Sequence, residues 1–157
     1  MSLTASWRSF RTLDSGDRGL VTEAALLLPL VKLGTRVLPF TMLRRLLTHV
    51  AARKPAVDDR SMERVVWAVT AVAQRLPLAT TCLFEALATD AMLRRRGFDC
   101  ELRFGVRMPT QATPFAAHAW IEYRGVVIPG QLENVRDFTP LSLRDVRDEP
   151  TDGLDPA

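Results

Sequence analysis

The chain has 157 residues, 47% of them apolar and 25% charged, which suits a single domain able to bury its own core. Lys plus Arg number 21 against 18 Asp plus Glu, and no long basic block occurs, which argues against a nucleic-acid-binding surface. Two cysteines, Cys82 and Cys100, are too few for a disulfide scaffold and fit a reduced, cytoplasmic setting. The most apolar run, Ala24 to Val31, contains Pro29 and stops at Lys32, short of the ~20 residues a spanning helix needs. The first residues carry Arg8, Arg11, Asp14, Asp17 and Arg18 with no clean apolar core behind them, which speaks against a secretory signal.

In chain order, Met1 to about Pro55 reads as helical and leucine-rich, with Pro29 and Pro39 expected to start, kink or separate helices. Residues 1–18 and 148–157 are expected to be loosely ordered at the ends of one 1–157 domain. A second helical zone follows Asp58, Asp59 and Ser61, which offer N-terminal caps, and repeats Val65, Ala68, Val69 and Val72 at helical spacing. Pro77 ends it. The next helix runs from Cys82 to about Arg96, with Leu83, Ala86, Leu87, Met92 and Leu93 on its apolar side and Gly97 as its stop. Arg94, Arg95 and Arg96 suit the last turn of that helix and read as a solvated end.

The period then changes from helix to strand. In Cys100 to Arg107 apolar and polar residues alternate, the pattern of a half-buried strand. AAHAWIEY, the dipeptide Arg124-Gly125 and VVIPG read as a β-hairpin. Helices followed by a small antiparallel sheet give an α+β fold.

Cys82 opens a helix, where free N–H groups and the helix dipole favour a thiolate. The plainer alternative is a small buried hydrophobe, the usual fate of a free cysteine and the reading that suits Cys100 on the apolar face of its strand. His118 lies in AAHAW on the face shared with Trp120 and Glu122, and His49 reads as a helix-surface residue. No second His or Cys stands at ligand spacing beside His118, so neither a metal nor a cofactor is expected. A cysteine opening a helix and a histidine on a following strand form the arrangement of papain-like and transglutaminase-like thiol enzymes. There the histidine takes the thiol proton and the thiolate attacks a carbonyl.

LPLATTCLFEALATDAMLRRRGFDCELRFGVRM followed by FAAHAWIEYRGVVI resembles the transglutaminase-like leader peptidases of lasso-peptide biosynthesis. The shared features are Cys-Leu opening a helix, a Leu-Arg-Arg-Arg-Gly helix end, a Leu-Arg-x-Gly-Val strand and Ala-His-Ala-Trp-x-Glu, over about residues 65 to 141. The resemblance implies a papain/transglutaminase-like fold in which N-terminal helices precede a catalytic helix packed on a small antiparallel sheet. It implies Cys82 as nucleophile and His118 as base of a protease that cuts the leader from a ribosomally made precursor. The freed core amine then enters macrolactam closure by a separate lasso cyclase of asparagine-synthetase type. The first 60 residues lack the strands of a winged-helix module, so an RRE-type leader-recognition protein is expected as a separate partner.

Members of that family usually carry an Asp about a dozen residues past the histidine, where this chain has Gly130. A two-residue turn at Arg124-Gly125 would set His118 opposite Gln131, whose amide oxygen could orient the ring. Glu133 is the charged rival, and a Cys-His dyad is the third option. Two other functions stay open: an acyltransferase that forms isopeptide bonds, and an inactive scaffold in a maturation complex. The stretch AALLLPLVKLGTRVLPF carries more apolar side chains than one packed face needs, so it is also expected to dock a protein partner or touch a membrane.

Overall fold

A computed structural model describes residues 13–49, 59–76, 81–110, 114–128 and 137–141. Four helices, α1 (Ser15–Val37), α2 (Phe40–His49), α3 (Asp59–Ala73) and α4 (Cys82–Arg95), precede strands β1 (Cys100–Arg107), β2 (Ala116–Tyr123), β3 (Val126–Val127) and β4 (Thr139–Leu141). The strands form one antiparallel sheet in the order β3-β2-β1-β4. The α+β architecture read from the sequence is the one observed.

Of the stretches expected to be loosely ordered, 1–12 and 148–157 lie outside the described residues, and the N-terminal helix begins at Ser15. Asp14 caps α1, its Oδ1 accepting the Asp17 N–H at 2.8 Å, and Arg64 of α3 reaches both carboxylates at 2.8 and 2.7 Å. These ion pairs are solvent-exposed and tie the helices only weakly. Pro29 lies inside α1 without ending it. It has no N–H to donate, and packing of Leu27, Leu28 and Val31 into the core offsets the lost bond. Pro39 does separate helices: Leu38 is extended at φ −121, and the Pro39 carbonyl accepts from Met42 and Leu43 at the start of α2.

Gly34 allows α2 to lie close to α1, since a Cβ there would meet Leu43 Cδ1 at 2.6 Å. Helix α4 is central rather than one-sided. Every residue from Ala86 to Leu93 is buried, including Thr89 and Asp90, because α1 and α3 pack against it as well as the sheet. The sheet turns Cys100, Leu102 and Phe104 of β1 and Ala119, Ile121 and Tyr123 of β2 toward the helices.

Arg94, Arg95 and Arg96 are not the solvated helix end expected from the sequence. Arg94 bonds Asp90 at 2.8 Å and donates to the Cys100 carbonyl, while Arg95 and Arg96 both grip Glu23 of α1, at 3.1 and 2.7 Å. Gly97 then turns the chain at φ 84. The β2–β3 hairpin has the expected two-residue turn, with Arg124 at φ 53 and Gly125 at φ 77, the doubly left-handed geometry that matches strand twist. Among the described residues, no helix is long and apolar enough to cross a membrane.

Candidate active site

Cys82 is the first residue of α4 and is half-buried. Thr81 before it is extended (φ −107, ψ 159), and its side chain makes no capping bond. The first helical bonds are those of Phe84 and Glu85 to the Thr81 carbonyl, at 2.9 and 3.2 Å. The amides of Cys82 and Leu83 therefore precede the helical ladder, and their partial positive charge lies beside the thiol. Such a helix end offers donors to an oxyanion, with the acidic Glu85 in the same first turn.

Cys100 is its opposite. It is fully buried, and burial first, then the neighbouring Asp90 charge, pushes its thiol up to about 12. The expectation that Cys100 is structural agrees with this environment.

His118 is the third residue of β2 and pairs with Gly105 of β1. Its place relative to Cys82 follows from how α4 feeds β1. The chain turns at Gly97, and the Arg94 guanidinium touches the Cys100 carbonyl, so β1 runs back along α4. The 14-residue helix is about 20 Å long. Gly105 lies about 17 Å up the strand from Cys100. His118, paired with Gly105, is thus carried to the end of the helix–sheet layer at which Cys82 opens α4. Strand alternation sets its side chain on the face of Trp120 and Glu122, opposite Ala119 and Ile121, which pack on the helices. Element lengths thus set His118 toward the Cys82 end of the layer, while the register turns its side chain to the sheet face opposite the helices.

That outer face has its own order. Trp120 is fully buried, and its Nε1 donates to Glu122 Oε1 at 3.0 Å. Glu122 Oε2 in turn accepts from Arg103 Nε at 3.1 Å. The indole lies across Gly105, where a Cβ would fall 2.6 Å from Trp120 Cη2 and 3.0 Å from the Thr139 carbonyl. Phe138, just before β4, sits 5.7 Å from the His118 ring and 5.4 Å from the Arg107 guanidinium, centroid distances that make it a shared wall. The sequence singles out Trp120 on the His118 face but not Gly105, Arg107 or Phe138. An isolated glycine inside an alternating strand was the available signal for a close approach. Phe138 had none, since it reaches His118 only when β4 folds back onto β1.

The family model described as "Transglutaminase-like superfamily" matches residues 24–143. The chain belongs to the transglutaminase-like superfamily. Its members are generally cysteine-dependent enzymes, and the match spans both Cys82 and His118. Comparison with curated proteins finds no match, and comparison with solved structures finds none. The residues considered for the third catalytic role, Gln131 and Glu133, lie outside the described residues, as does Gly130. The hairpin register runs as far as the Ile128 N–H to Ile121 carbonyl bond, at 3.0 Å. Among the described residues, no cluster of His, Cys, Asp and Glu could hold a metal ion.

Proposed function

We propose that the chain is a cysteine peptidase that removes the leader from a ribosomally made lasso-peptide precursor. The observation that carries the reading is Cys82 at the N-terminus of α4 in a chain whose transglutaminase-like match spans both Cys82 and His118. The linked motifs around these residues supply the substrate class.

In this mechanism, which requires the His118 imidazole to reach Cys82 around the end of the sheet, His118 takes the Cys82 proton, and the thiolate adds to the scissile carbonyl carbon. The oxyanion is held by the Cys82 amide at the helix end. Collapse breaks the C–N bond, and the imidazolium gives its proton to the leaving amine, which becomes the N-terminus of the core. Water, deprotonated by His118, then adds to the thioester and releases the leader as a carboxylic acid and the free thiol. Gln131 fits the role of neutral orienter of the imidazole, with Glu133 as the charged rival. The proposal includes a separate RRE-type leader-recognition protein and a lasso cyclase as partners, and a cytoplasmic setting.

The test is incubation of the precursor with the enzyme, with and without the recognition protein, read by mass. Cleavage between leader and core that depends on Cys82 supports the reading. An isopeptide-linked product would instead make the chain an acyltransferase, the reaction for which the superfamily is named, in which an amine resolves the thioester. No change in precursor mass with either partner combination would leave the scaffold reading.

A further inference from the structure

The outer face of β1 carries two arginines in different states. Arg103 is neutralised twice, by Glu101 Oε2 at 2.7 Å and by Glu122 Oε2 at 3.1 Å. Arg107, the last residue of the strand, has no carboxylate partner among the described residues. It is half-buried, its guanidinium lies over the Phe138 ring, and its Nε is buried without a hydrogen-bond partner. Desolvating a charged donor and leaving it unpaired is unfavourable, and an anion arriving from outside the chain would relieve it.

Position says which anion. The register sets Ala116 opposite Arg107, so His118 is the diagonal neighbour of Arg107 on the same sheet face, about 7–8 Å away. Phe138 serves both, 5.7 Å from the imidazole and 5.4 Å from the guanidinium. Arg107 stands one step nearer than His118 to the sheet end around which the imidazole must reach Cys82. Met108 and Phe115, the next residues past the paired strand ends, are 67% and 58% exposed and give that end an apolar rim. An extended peptide advances about 3.3 Å per residue, so a side chain that reaches Arg107 belongs within about two residues of the bond on which His118 acts.

We infer that Arg107, braced on Phe138, is a specificity-determining residue that takes the carboxylate of an Asp or Glu side chain of the substrate peptide close to the scissile bond. The planar guanidinium fork matches a carboxylate, and the aromatic wall holds it in place before the ligand arrives. Arg103, with two carboxylates already on it, does not compete for this role. That the ligand is a substrate rests on the peptidase reading, so binding and cleavage are measured apart.

The probes are labelled peptides spanning the leader–core junction of the precursor, with Glu, Gln or Lys placed in turn at each of the two residues on either side of the scissile bond. Binding to the full chain carrying Cys82→Ala is read by fluorescence anisotropy, and kcat/KM is read with the unsubstituted enzyme. At one of these positions Glu should bind about tenfold or more tighter than Lys, with Gln between them and the preference shrinking as salt rises. Cleavage by the unsubstituted enzyme should follow the same order. Arg107→Glu should reverse that order and favour the Lys peptide, an outcome that a loosened sheet edge does not produce. Arg103→Gln should keep the preference for Glu. Charge-selective binding that Arg107→Glu reverses, with no peptide cut, supports the role of Arg107 and overturns the peptidase reading. Equal binding of the Glu and Lys peptides at every position, binding of neither, or a preference for Glu that survives Arg107→Glu overturns the inference.

Discussion

At the C-terminal end of α4, three consecutive arginines find partners: Arg94 on Asp90 and the Cys100 carbonyl, Arg95 and Arg96 on Glu23. The cysteine next to them is sealed, and its thiol stays protonated through the physiological range. At the N-terminal end the helix starts on Thr81 without a side-chain cap, and Cys82 remains half-open with the leading amides beside it. One helix therefore carries a finished end and an unfinished one. The difference is that the cysteine beyond the clamped end is sealed in the core, whereas the one at the uncapped end stays half-exposed beside amides that precede the helical ladder.

The largest expected effect comes from removing the open end's chemistry. Cys82→Ala should lower leader cleavage by about a thousandfold or more while the protein stays folded, because a methyl keeps helix propensity and removes the nucleophile. Product mass over time is the measurement. His118→Ala should match that loss and not add to it in the double variant, since both act in one step. Cys100→Ala should keep cleavage, and a loss as large as that of Cys82→Ala would erase the contrast between the two ends.

Thiol labelling sharpens the same contrast. In the native protein at pH 8, iodoacetamide should modify Cys82 and leave Cys100 untouched, with both modified in urea, as peptide mass mapping would reveal. The linkage has a definite sign. A folded value raised to about 12, from an ordinary 9.0, means the unfolded chain loses this proton first as pH rises. The Cys100 contribution to stability is thus fully present below about pH 9 and is lost between pH 9 and about 12, which urea titrations across that window would detect.

Gly105→Ala tests the wall beside His118. The added methyl must displace Trp120 or the Thr139 backbone, at a cost of about 1–3 kcal/mol. Cleavage should fall with it, as the strand position paired with His118 shifts; unchanged melting and unchanged turnover would mean the indole has room to spare. At the finished end, Glu23→Gln should cost about 1–2 kcal/mol in urea unfolding, because two partly buried guanidiniums lose their carboxylate. Its effect on turnover should be small. The smallest expected change is in the hairpin: Arg124→Asn should raise stability by about 0.5 kcal/mol, as Asn tolerates positive φ better than Arg.

Local pattern was enough for much of this molecule. The alternation from Cys100 to Arg107, the two-residue turn at Arg124-Gly125, the start of a helix at Cys82 and its stop at Gly97 all depend on a residue and its near neighbours, and all were legible in the sequence. Side-chain period and turn chemistry act over a few residues, and a few residues suffice to read them. What tertiary structure alone decided was everything that needs two distant segments at once. Pro29 could stay helical only because Leu27, Leu28 and Val31 found a core. The arginine triplet became a clamp because Glu23 of α1 came within reach, and α4 became buried on all sides because α1 and α3 enclosed it. Cys82 and His118 carried their chemical types in the sequence, but the pairing of His118 with Gly105, and the side of the sheet it faces, depended on how β2 registers on β1. Residue type is written locally, whereas proximity is a property of the packed chain.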